Sequence, residues 1–431
     1  MNILILNSNN PLLTSGIISL DIYNALKSRG HNTRLLVTTY AENYPEGVVS
    51  MENRHSHLKK RIINKFRKVF NTGKKTDTDP NYHFHELDES VTLFSTGSLL
   101  RKAAIKPDII LVLFAKKLAN SKNIQQLQKR TNARVFWLMY DMAPFTGGCH
   151  YAWECSGYQN ECGKCPGLRS TDPVDLSYRN LQYKKKQLDK VQLEVIAASE
   201  WQYRQALSSS LFKGKTIHKI FLPIDPEIFK PTDKTETRKK FNLTGDRKVI
   251  FFGAVDISHL RKGPDHLIKS LALLKEMVKA TPLEKEILLL VAGRGVKELS
   301  VNFPFEYLDL GILDNTHGIA SAYQASDLFL CPSVEDSGPS MINQSIMAGT
   351  PVVSFGMGVA MDLVINEQTG YRAVLKDSHD LAKGMLEILS LSDFEAKKYS
   401  ENCRTLGLKY SSPDVQTTQL EAIFTNALNK R

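Results

Sequence analysis

The sequence predicts an α/β protein with two domains, each built on a parallel β-sheet. Short apolar runs rich in β-branched residues alternate with longer segments of helical periodicity, as in parallel α/β units. At 431 residues the chain is also too long for one ordinary hydrophobic core. Residues 221–234 carry three prolines and no helical period. We therefore expect the hinge between the two domains there.

The first half supplies five expected strands and one clear helix. The helix starts at about Gly16 and ends at Gly30, a common residue at a helix C-terminus. The opening apolar run has no basic segment before it, which favours a buried strand over a signal peptide and predicts a cytoplasmic location. The expected strands are Asn2–Leu6, Arg34–Thr38, Ile109–Phe114, Arg134–Met139 and Glu194–Ala197.

The second half repeats the alternation of strands and helices. Its expected strands are Lys248–Phe252, Ile287–Ala292, Tyr307–Leu310, Leu328–Cys331 and Pro351–Phe355. We predict an N-terminal domain over 1–222 and a C-terminal domain over 235–410, followed by a last segment, 411–431. No apolar run has the length that a membrane-spanning helix needs.

Positive charge is concentrated in one stretch of the chain. The net charge is +11, and residues 54–75 contain nine Lys or Arg and no acid, so the charge without them is +2. Apolar residues recur at helical spacing within the stretch, which describes a basic amphipathic helix. Such a helix can lie on an anionic membrane surface, or it can pack its apolar stripe on its own domain. Nucleic-acid binding is a weaker interpretation of this basic stretch, because no recognition motif accompanies the charge.

Two loops of the second half carry groups suited to a sugar diphosphate. The strand that ends at Gly253 leads to Arg261 and Lys262, and ligands of open α/β sheets bind at such strand ends. These cations suit a pyrophosphate, although an exposed basic turn would look the same. After the strand at 328–331 comes Asp336, a carboxylate able to accept hydrogen bonds from sugar hydroxyls.

A helix is expected directly after this acid, at about Ser340–Ala348. Free N–H groups at a helix start bind phosphate, and two serines can cap this start. Such a start by itself also fits simple capping. The residues of this anion site and its helix are Ser337, Gly338, Pro339, Ser340 and Gln344.

The second half resembles the large family of retaining glycosyltransferases, group 1 or family 4, that includes many bacterial polysaccharide enzymes. The similar stretches, in order, are FFGA, RKG, VAGRG at 291–295, LGIL at 310–313, YQASDLFLCPSVED at 323–336 and MAGTPVV at 347–353. The resemblance implies a GT-B fold, which is two facing Rossmann-like domains with a cleft. It also implies that the last helix, around Asp414–Leu428, crosses back to the N-terminal domain.

The resemblance also assigns roles to residues of the donor site. It implies that Lys262 and Arg261 hold the donor diphosphate, that Asp336 contacts the donor sugar, and that Gln344 takes the place of a glutamate on the ribose hydroxyls. It further places Gly16, Gly253, Leu313 and residues 337–340 around the donor. It implies a retaining outcome with no divalent metal required.

Three positions depart from the family pattern. Ala254 stands where the family usually has arginine, Gln344 where it has glutamate, and Tyr140 where relatives often have histidine. A neutral amide binds a diol more weakly than a carboxylate does. These departures motivate a second hypothesis, namely a non-catalytic relative that binds nucleotide or glycan or scaffolds an assembly complex.

The first half is expected to bind the acceptor. Asp141 follows a strand and is a candidate for contacting the acceptor or the donor sugar, while capping of the next turn is its alternative role. His150 lies nearby in sequence and is a weaker candidate. The leading hypothesis is therefore transfer of a sugar from a nucleoside diphosphate sugar to a bacterial surface glycan that is lipid-linked, by a protein at the inner face of the plasma membrane.

Four cysteines cluster in an insert at 145–170. The sequence CGKCP resembles one knuckle of a structural zinc site. Disulfides and free thiols are the alternatives, and disulfides are disfavoured in a reducing cytosol. Four protein ligands leave no open coordination position, so any zinc here would be structural. The cysteines are Cys149, Cys155, Cys162 and Cys165.

Overall fold

The structure is a computed structural model that describes residues 1–13, 16–52, 78–84, 88–243, 245–336, 338 and 340–430. It divides the chain into two compact units. Unit 1 comprises Met1–Ala198, Gln202–Pro223 and Gln416–Arg431, and unit 2 comprises Ser199–Trp201 and Ile224–Val415. The basic stretch 54–75 lies outside the described residues.

The described strands of unit 1 form one parallel sheet in the order β3-β2-β1-β4-β5-β6-β7. They are β1 (Asn2–Leu6), β2 (Asn32–Val37), β3 (Val48–Ser50), β4 (Ile109–Val112), β5 (Arg134–Leu138), β6 (Leu193–Ala197) and β7 (Ile217–Lys219). Successive side chains of a strand point to opposite faces, so Leu4 packs in one core cluster and Ile5 in another. Because both faces are covered, the central strands are almost wholly apolar.

The described strands of unit 2 form a second parallel sheet in the order β10-β9-β8-β11-β12-β13. They are β8 (Lys248–Asp256), β9 (Ile287–Arg294), β10 (Glu306–Asp309), β11 (Leu328–Cys331), β12 (Val352–Phe355) and β13 (Gly370–Ala373). Phe252 packs in the core on one face of this sheet. Phe251 lies on the other face, with its ring centroid 5.1 Å from that of Tyr323. The predicted class, two α/β domains with parallel sheets, is confirmed.

Helices connect the strands in both units. In chain order the described α-helices are Ile17–Ser28, Thr96–Ala103, Ser121–Thr131, Leu176–Leu188, Glu200–Ser208, Lys234–Lys239, Pro264–Met277, Leu283–Glu286, Val296–Ser300, Thr316–Ala325, Ser340–Met347, Ala360–Leu363, Ser378–Leu389, Asp393–Ser411 and Pro413–Asn429. In unit 1, Phe424 of the last helix packs against Phe136 with ring centroids 4.8 Å apart. Among the described helices, none has both the length and the apolar character that crossing a bilayer requires.

Three short strands were not predicted: β3, β7 and β13. Each is an edge strand of three or four residues. β3 and β7 are mostly half-exposed or exposed, and the four residues of β13 include a glycine and an arginine, so none of the three has a continuous apolar pattern. β8 also runs four residues further than expected, through an irregularity in its pairing with β9 between Gly253 and Asp256.

Candidate active site

A tight turn after β8 holds the two candidate cations of unit 2. Residues Leu260–Lys262 form one 3-10 turn, and His259 caps it by accepting a hydrogen bond from the backbone N–H of Arg261 at 3.2 Å. Gly263 ends the turn with φ of 68°, and a Cβ there would lie 2.0 Å from the carbonyl oxygen of Pro332. Only glycine fits this close approach. The turn is thereby pressed against the end of β11.

Arg261 and Lys262 both bind the carboxylate of Asp336. Lys262 Nζ donates to Asp336 Oδ2 at 2.8 Å, and Arg261 Nη1 donates to the same oxygen. The acid side chain is 11% exposed and the two cations 15% and 17%. Burial opposes ionisation of Asp336, but Lys262 and Arg261 outweigh it and lower the pKa of this carboxyl to about 2. The cluster therefore keeps an ionised acid between two cations.

The structure thus brings together three of the predicted site residues from loops about 75 positions apart in sequence. The stabilising effect of the ionised Asp336 is fully present above its unfolded-state pKa, about 4. It is lost as the pH falls from there towards 2.

The helix Ser340–Met347 starts beside this cluster. The backbone N–H of Gly338 points to Asp336 Oδ1 at 3.4 Å. Ser337 and Pro339, both predicted to belong to the anion site, lie outside the described residues. Gln344 is half-buried on the helix, and its Oε1 accepts a hydrogen bond from the Tyr323 hydroxyl at 3.2 Å. This bond fixes the orientation of the Gln344 amide, so its NH₂ group points away from Tyr323.

The other predicted donor-site residues of unit 2 are Gly253, which lies within β8, and Leu313, which follows β10. Gly253 lines a pocket with Lys262 and Pro332, at the carboxyl ends of β8 and β11. A Cβ on Gly253 would lie 3.0 Å from the carbonyl oxygen of Ala292. Leu313 is in the loop after β10, two strands away from β8 in the sheet.

A close contact within the first loop of unit 1 explains why residue 16 is glycine. Gly16 precedes the helix Ile17–Ser28, and a Cβ on it would lie 1.9 Å from the carbonyl oxygen of Asn10. The close approach of the chain's own loop therefore requires glycine here. Its predicted place near the donor phosphates stays a prediction.

Unit 1 contains a pocket at the carboxyl ends of β4 and β5. The pocket is open to solvent, and Trp137 and Tyr140 are among the residues that line it. Asp141 lies in its wall, with Oδ1 accepting the backbone N–H of Ala143 at 2.9 Å and Oδ2 2.7 Å from His150 Nδ1. Asp141 is thus a turn cap as well as a pocket residue. His150, the weaker candidate from sequence, lines the same pocket.

Tyr140, at the position where relatives often have histidine, is used for packing. Its ring stacks on Phe114 with centroids 4.9 Å apart and planes 16° apart. Burial raises the pKa of the Tyr140 hydroxyl, as does the nearby Asp21. The residue therefore serves as an apolar wall that does not titrate near neutral pH.

The four clustered cysteines are free thiols that line one small pocket of unit 1. Burial raises the pKa of Cys149 and Cys165, and it raises that of Cys162 to about 11. Among the described residues, no group of three or more His, Cys, Asp or Glu side chains is arranged to hold a metal ion. Zinc binding by these cysteines stays a prediction.

Elemental analysis of the purified chain tests that prediction. If the cysteines bind zinc, one zinc per chain is expected, and Cys165→Ser is expected to abolish it and to lower the melting temperature by several degrees, because structural zinc contributes to folding. Cys403→Ser, at an isolated buried cysteine, is the control and should keep the metal. Wild-type chain free of metal after expression in zinc-supplemented medium would contradict the prediction.

Comparisons with known proteins agree with this architecture. The model of the family described as glycosyl transferases group 1 matches residues 233–405. A D-inositol 3-phosphate glycosyltransferase from Catenulispora acidiphila is 27% identical over 193 residues, which is 42% of this chain and 44% of that protein. The chain thus spans about half the length of the curated relatives it matches.

Two solved structures match over essentially the whole chain. Sucrose-phosphate synthase from Thermosynechococcus elongatus has a TM-score of 0.66 at 16% identity, covering 100% of both chains. HepE of Anabaena, solved in complex with UDP and glucose, has a TM-score of 0.60 at 13% identity, covering 99% of this chain and 100% of the other. The chain as a whole therefore has the GT-B fold, and residues 233–405 within it are similar to the glycosyl transferases group 1 family.

Proposed function

We propose that the protein is a retaining glycosyltransferase that moves a sugar from a nucleoside diphosphate sugar to a lipid-linked glycan of the bacterial surface. The observation that carries the proposal is the cluster of Arg261, Lys262 and Asp336 at the carboxyl ends of β8 and β11. Two cations and one acid leave a net positive charge, which suits a diphosphate. The family match of residues 233–405 and the UDP bound to the similar HepE support the donor class.

In this proposal the cations stabilise charge on the leaving group. Breaking the bond between the sugar and the diphosphate leaves the electron pair on the departing oxygen. Fixed positive groups that bind this oxygen more strongly as its charge grows lower the barrier. Lys262, Arg261 and the N–H groups at the start of helix Ser340–Met347 are the groups of unit 2 proposed for this role. They supply the positive charge without a divalent metal, and retention of configuration is proposed from the family resemblance.

We propose the pocket of unit 1 as the acceptor site. The pocket is open to solvent and has aromatic and polar residues in its wall, which suits a sugar or a short glycan. Val91 and Leu93 line this pocket, yet they are 54% and 53% exposed. Two exposed apolar side chains at this pocket suit an acceptor that carries a lipid. A cytoplasmic place at the membrane is part of the proposal, and contact with anionic lipid through residues 54–75 stays a prediction.

Thermal stabilisation by a panel of UDP-, GDP-, dTDP- and ADP-sugars is the first test. One nucleotide class at about 100 times its Kd is expected to raise the melting temperature by roughly 3 to 6 °C. Sugar transfer or slow donor hydrolysis should follow with the same donor. Stabilisation without turnover would favour the non-catalytic binder. Folded protein that shows neither effect with any donor would contradict the proposal.

A further inference from the structure

His259 contacts the turn that carries both candidate cations of the donor site. Its Nδ1 accepts the backbone N–H of Arg261 at 3.2 Å, and its own carbonyl oxygen accepts the N–H of Lys262 at 2.8 Å. A backbone N–H can only donate, so the bond to the ring requires a lone pair on Nδ1. The ring is therefore neutral in this arrangement, with its hydrogen on Nε2.

The position of this turn determines where the two cations lie. The carbonyl oxygen of Arg261 accepts the N–H of Val334 at 3.0 Å, which joins the turn to the loop after β11. Arg261 Nη1 and Lys262 Nζ both bind Asp336 in that loop. Arg261 thus contacts His259 through its backbone N–H and Asp336 through its guanidinium. Any change at the ring of His259 is passed directly to one cation of the site.

The charges around His259 favour the neutral ring. Burial lowers the pKa of His259, and so does the positive charge of Arg261. The carboxylate of Asp256 opposes this shift, and Lys262 adds to it. The pKa of His259 therefore lies below its ordinary value of about 6.5. The charged groups near the ring and its neighbours are Asp256, Arg261, Lys262, Arg294 and Asp336.

Of the groups named here, His259 is the one that gains charge as the pH falls below about 6.5. The pKa of Asp336 is about 2, and hydrogen bonds from Ser258 lower the pKa of Asp256. Protonation of His259 puts a hydrogen on Nδ1, facing the N–H of Arg261, and removes the cap of the turn. The stabilising effect of the neutral ring is thus fully present above about pH 6.5 and is lost as the pH falls through the lowered pKa.

We propose that His259 is a positioning residue of the donor site, which holds Arg261 and Lys262 in place through a neutral Nδ1 and releases them when the ring is protonated. The inference rests on the proposed function, because it names the residue that orders the two donor cations. A protonated ring also adds a positive charge near the diphosphate, which acts in the opposite direction. Loss of the cap is expected to dominate, since His259 is half-buried and water partly screens its charge.

Two substitutions at His259 separate the cap from the rest of the ring. The side-chain oxygen of His259→Asn takes the place of Nδ1, and asparagine is a good capping residue that does not titrate. His259→Ala has no capping group. At pH 7.5, His259→Ala is expected to lower kcat/KM for the donor about 5- to 20-fold, the usual effect of a lost cap. His259→Asn should restore most of this loss.

His266→Asn is the matched control in unit 2. His266 is also a histidine whose pKa is lowered by burial, and its Nδ1 lies 2.9 Å from Ser378 Oγ, away from the turn. Its replacement should leave kcat/KM for the donor unchanged. Wild-type kcat/KM in His259→Ala, or an equal loss in His259→Asn and His259→Ala, would overturn the inference. All variants are compared below their melting temperatures, so that a difference in stability does not enter the result.

The pH profile distinguishes positioning from a general structural role. The ratio of kcat/KM between the wild type and His259→Asn is measured from pH 8 to pH 5, which cancels the titration of the donor and of other groups. The ratio is expected to be constant above about pH 6.5 and to fall about 5- to 20-fold below it. A constant ratio over the whole range would contradict the proposal. A ratio that rises in acid would show that the charge of the ring, and not the cap, dominates.

The state of the ring can be measured without any donor. Full-length chain is labelled with ¹⁵N-histidine, and the signals of His259 and His266 are assigned with the two asparagine variants. At pH 7.5, the His259 ring is expected to carry its hydrogen on Nε2 and to titrate below pH 6.5. A hydrogen on Nδ1 at pH 7.5 would overturn the inference. Failure of every nucleotide sugar in the panel would instead count against the proposed function, so the two failures are distinguishable.

Discussion

Replacing Lys262 by alanine is expected to lower kcat/KM for sugar transfer about 100- to 1,000-fold. Removal of one fixed group that stabilises developing negative charge typically costs about 3 to 4 kcal/mol of transition-state stabilisation. Lys262 is well placed for such an effect, because its side chain is only 17% exposed and lies at the carboxyl ends of β8 and β11. Water therefore screens its charge less than it would at the open surface.

The effect should fall mainly on kcat, since the charge on the leaving oxygen grows as the bond breaks. Steady-state kinetics with the donor that stabilises the wild type measures it. Lys234→Ala is the matched control, because Lys234 also binds a half-buried acid of unit 2, Asp327, at 2.8 Å. Lys234 lies before β8 in the chain and away from the strand ends of the site. A Lys262→Ala enzyme with more than one tenth of wild-type kcat/KM would show that the proposed role is wrong.

The sequence carried enough information to predict the class of fold, and the reason is burial. Central strands of a parallel sheet are covered on both faces, so β1 and β9 appear as continuous apolar runs. The edge strand β7 contains a histidine and a lysine and is half-exposed or exposed along its length. No apolar pattern marks such a strand, and only its pairing with β6 reveals it.

The candidate site was predicted loop by loop, but its contacts were not. The predicted strand ends and helix start indicated that Arg261, Lys262 and Asp336 lie in loops at one edge of the sheet. Their mutual ion pairs depend on how a turn around Gly263 packs on β11, and residue spacing does not encode such packing. The pairing of His150 with Asp141 could not be predicted from sequence either. The two residues are nine positions apart, and no helical or strand periodicity relates them.

The sequence shows that Gln344 departs from the family pattern, but it does not show which group of its amide would contact the ribose. The motif predicts a weaker ribose contact, because an amide replaces a carboxylate. The structure adds that the Tyr323 hydroxyl engages the amide oxygen. The amide NH₂ is then the group of Gln344 proposed for the ribose, so this residue would donate a hydrogen bond where a carboxylate would accept one.

Replacing Asp336 by asparagine is expected to tighten the binding of UDP, or of whichever nucleoside diphosphate the wild type binds, about tenfold. In the structure, Asp336 Oδ2 accepts hydrogen bonds from both Arg261 and Lys262. A diphosphate has to compete with this carboxylate for the same donors. Removal of its negative charge frees the cations, and tenfold corresponds to about 1.4 kcal/mol, well within the interaction of close charges at partial burial.

Turnover should move in the opposite direction. If Asp336 also contacts the donor sugar, as the family resemblance implies, its loss is expected to lower kcat by at least tenfold. Tighter product binding alone would slow release as well. The ligand-free variant should melt at a lower temperature, because two neighbouring cations lose the anion between them. Its stabilisation by UDP should nevertheless exceed that of the wild type.

Asp327→Asn separates these effects from general destabilisation. Asp327 is a matched acid of unit 2, which bridges Lys234 and Arg238 at 2.8 Å each and lies directly before β11, at the opposite end of the strand from Asp336. Its loss should lower the melting temperature and leave the Kd for UDP unchanged. Calorimetric titration with UDP at neutral pH measures the Kd of both variants and of the wild type. The low pKa of Asp336 keeps the wild-type carboxyl ionised at this pH. Weaker UDP binding by Asp336→Asn would mean that the acid positions the cations for the diphosphate and does not compete with it.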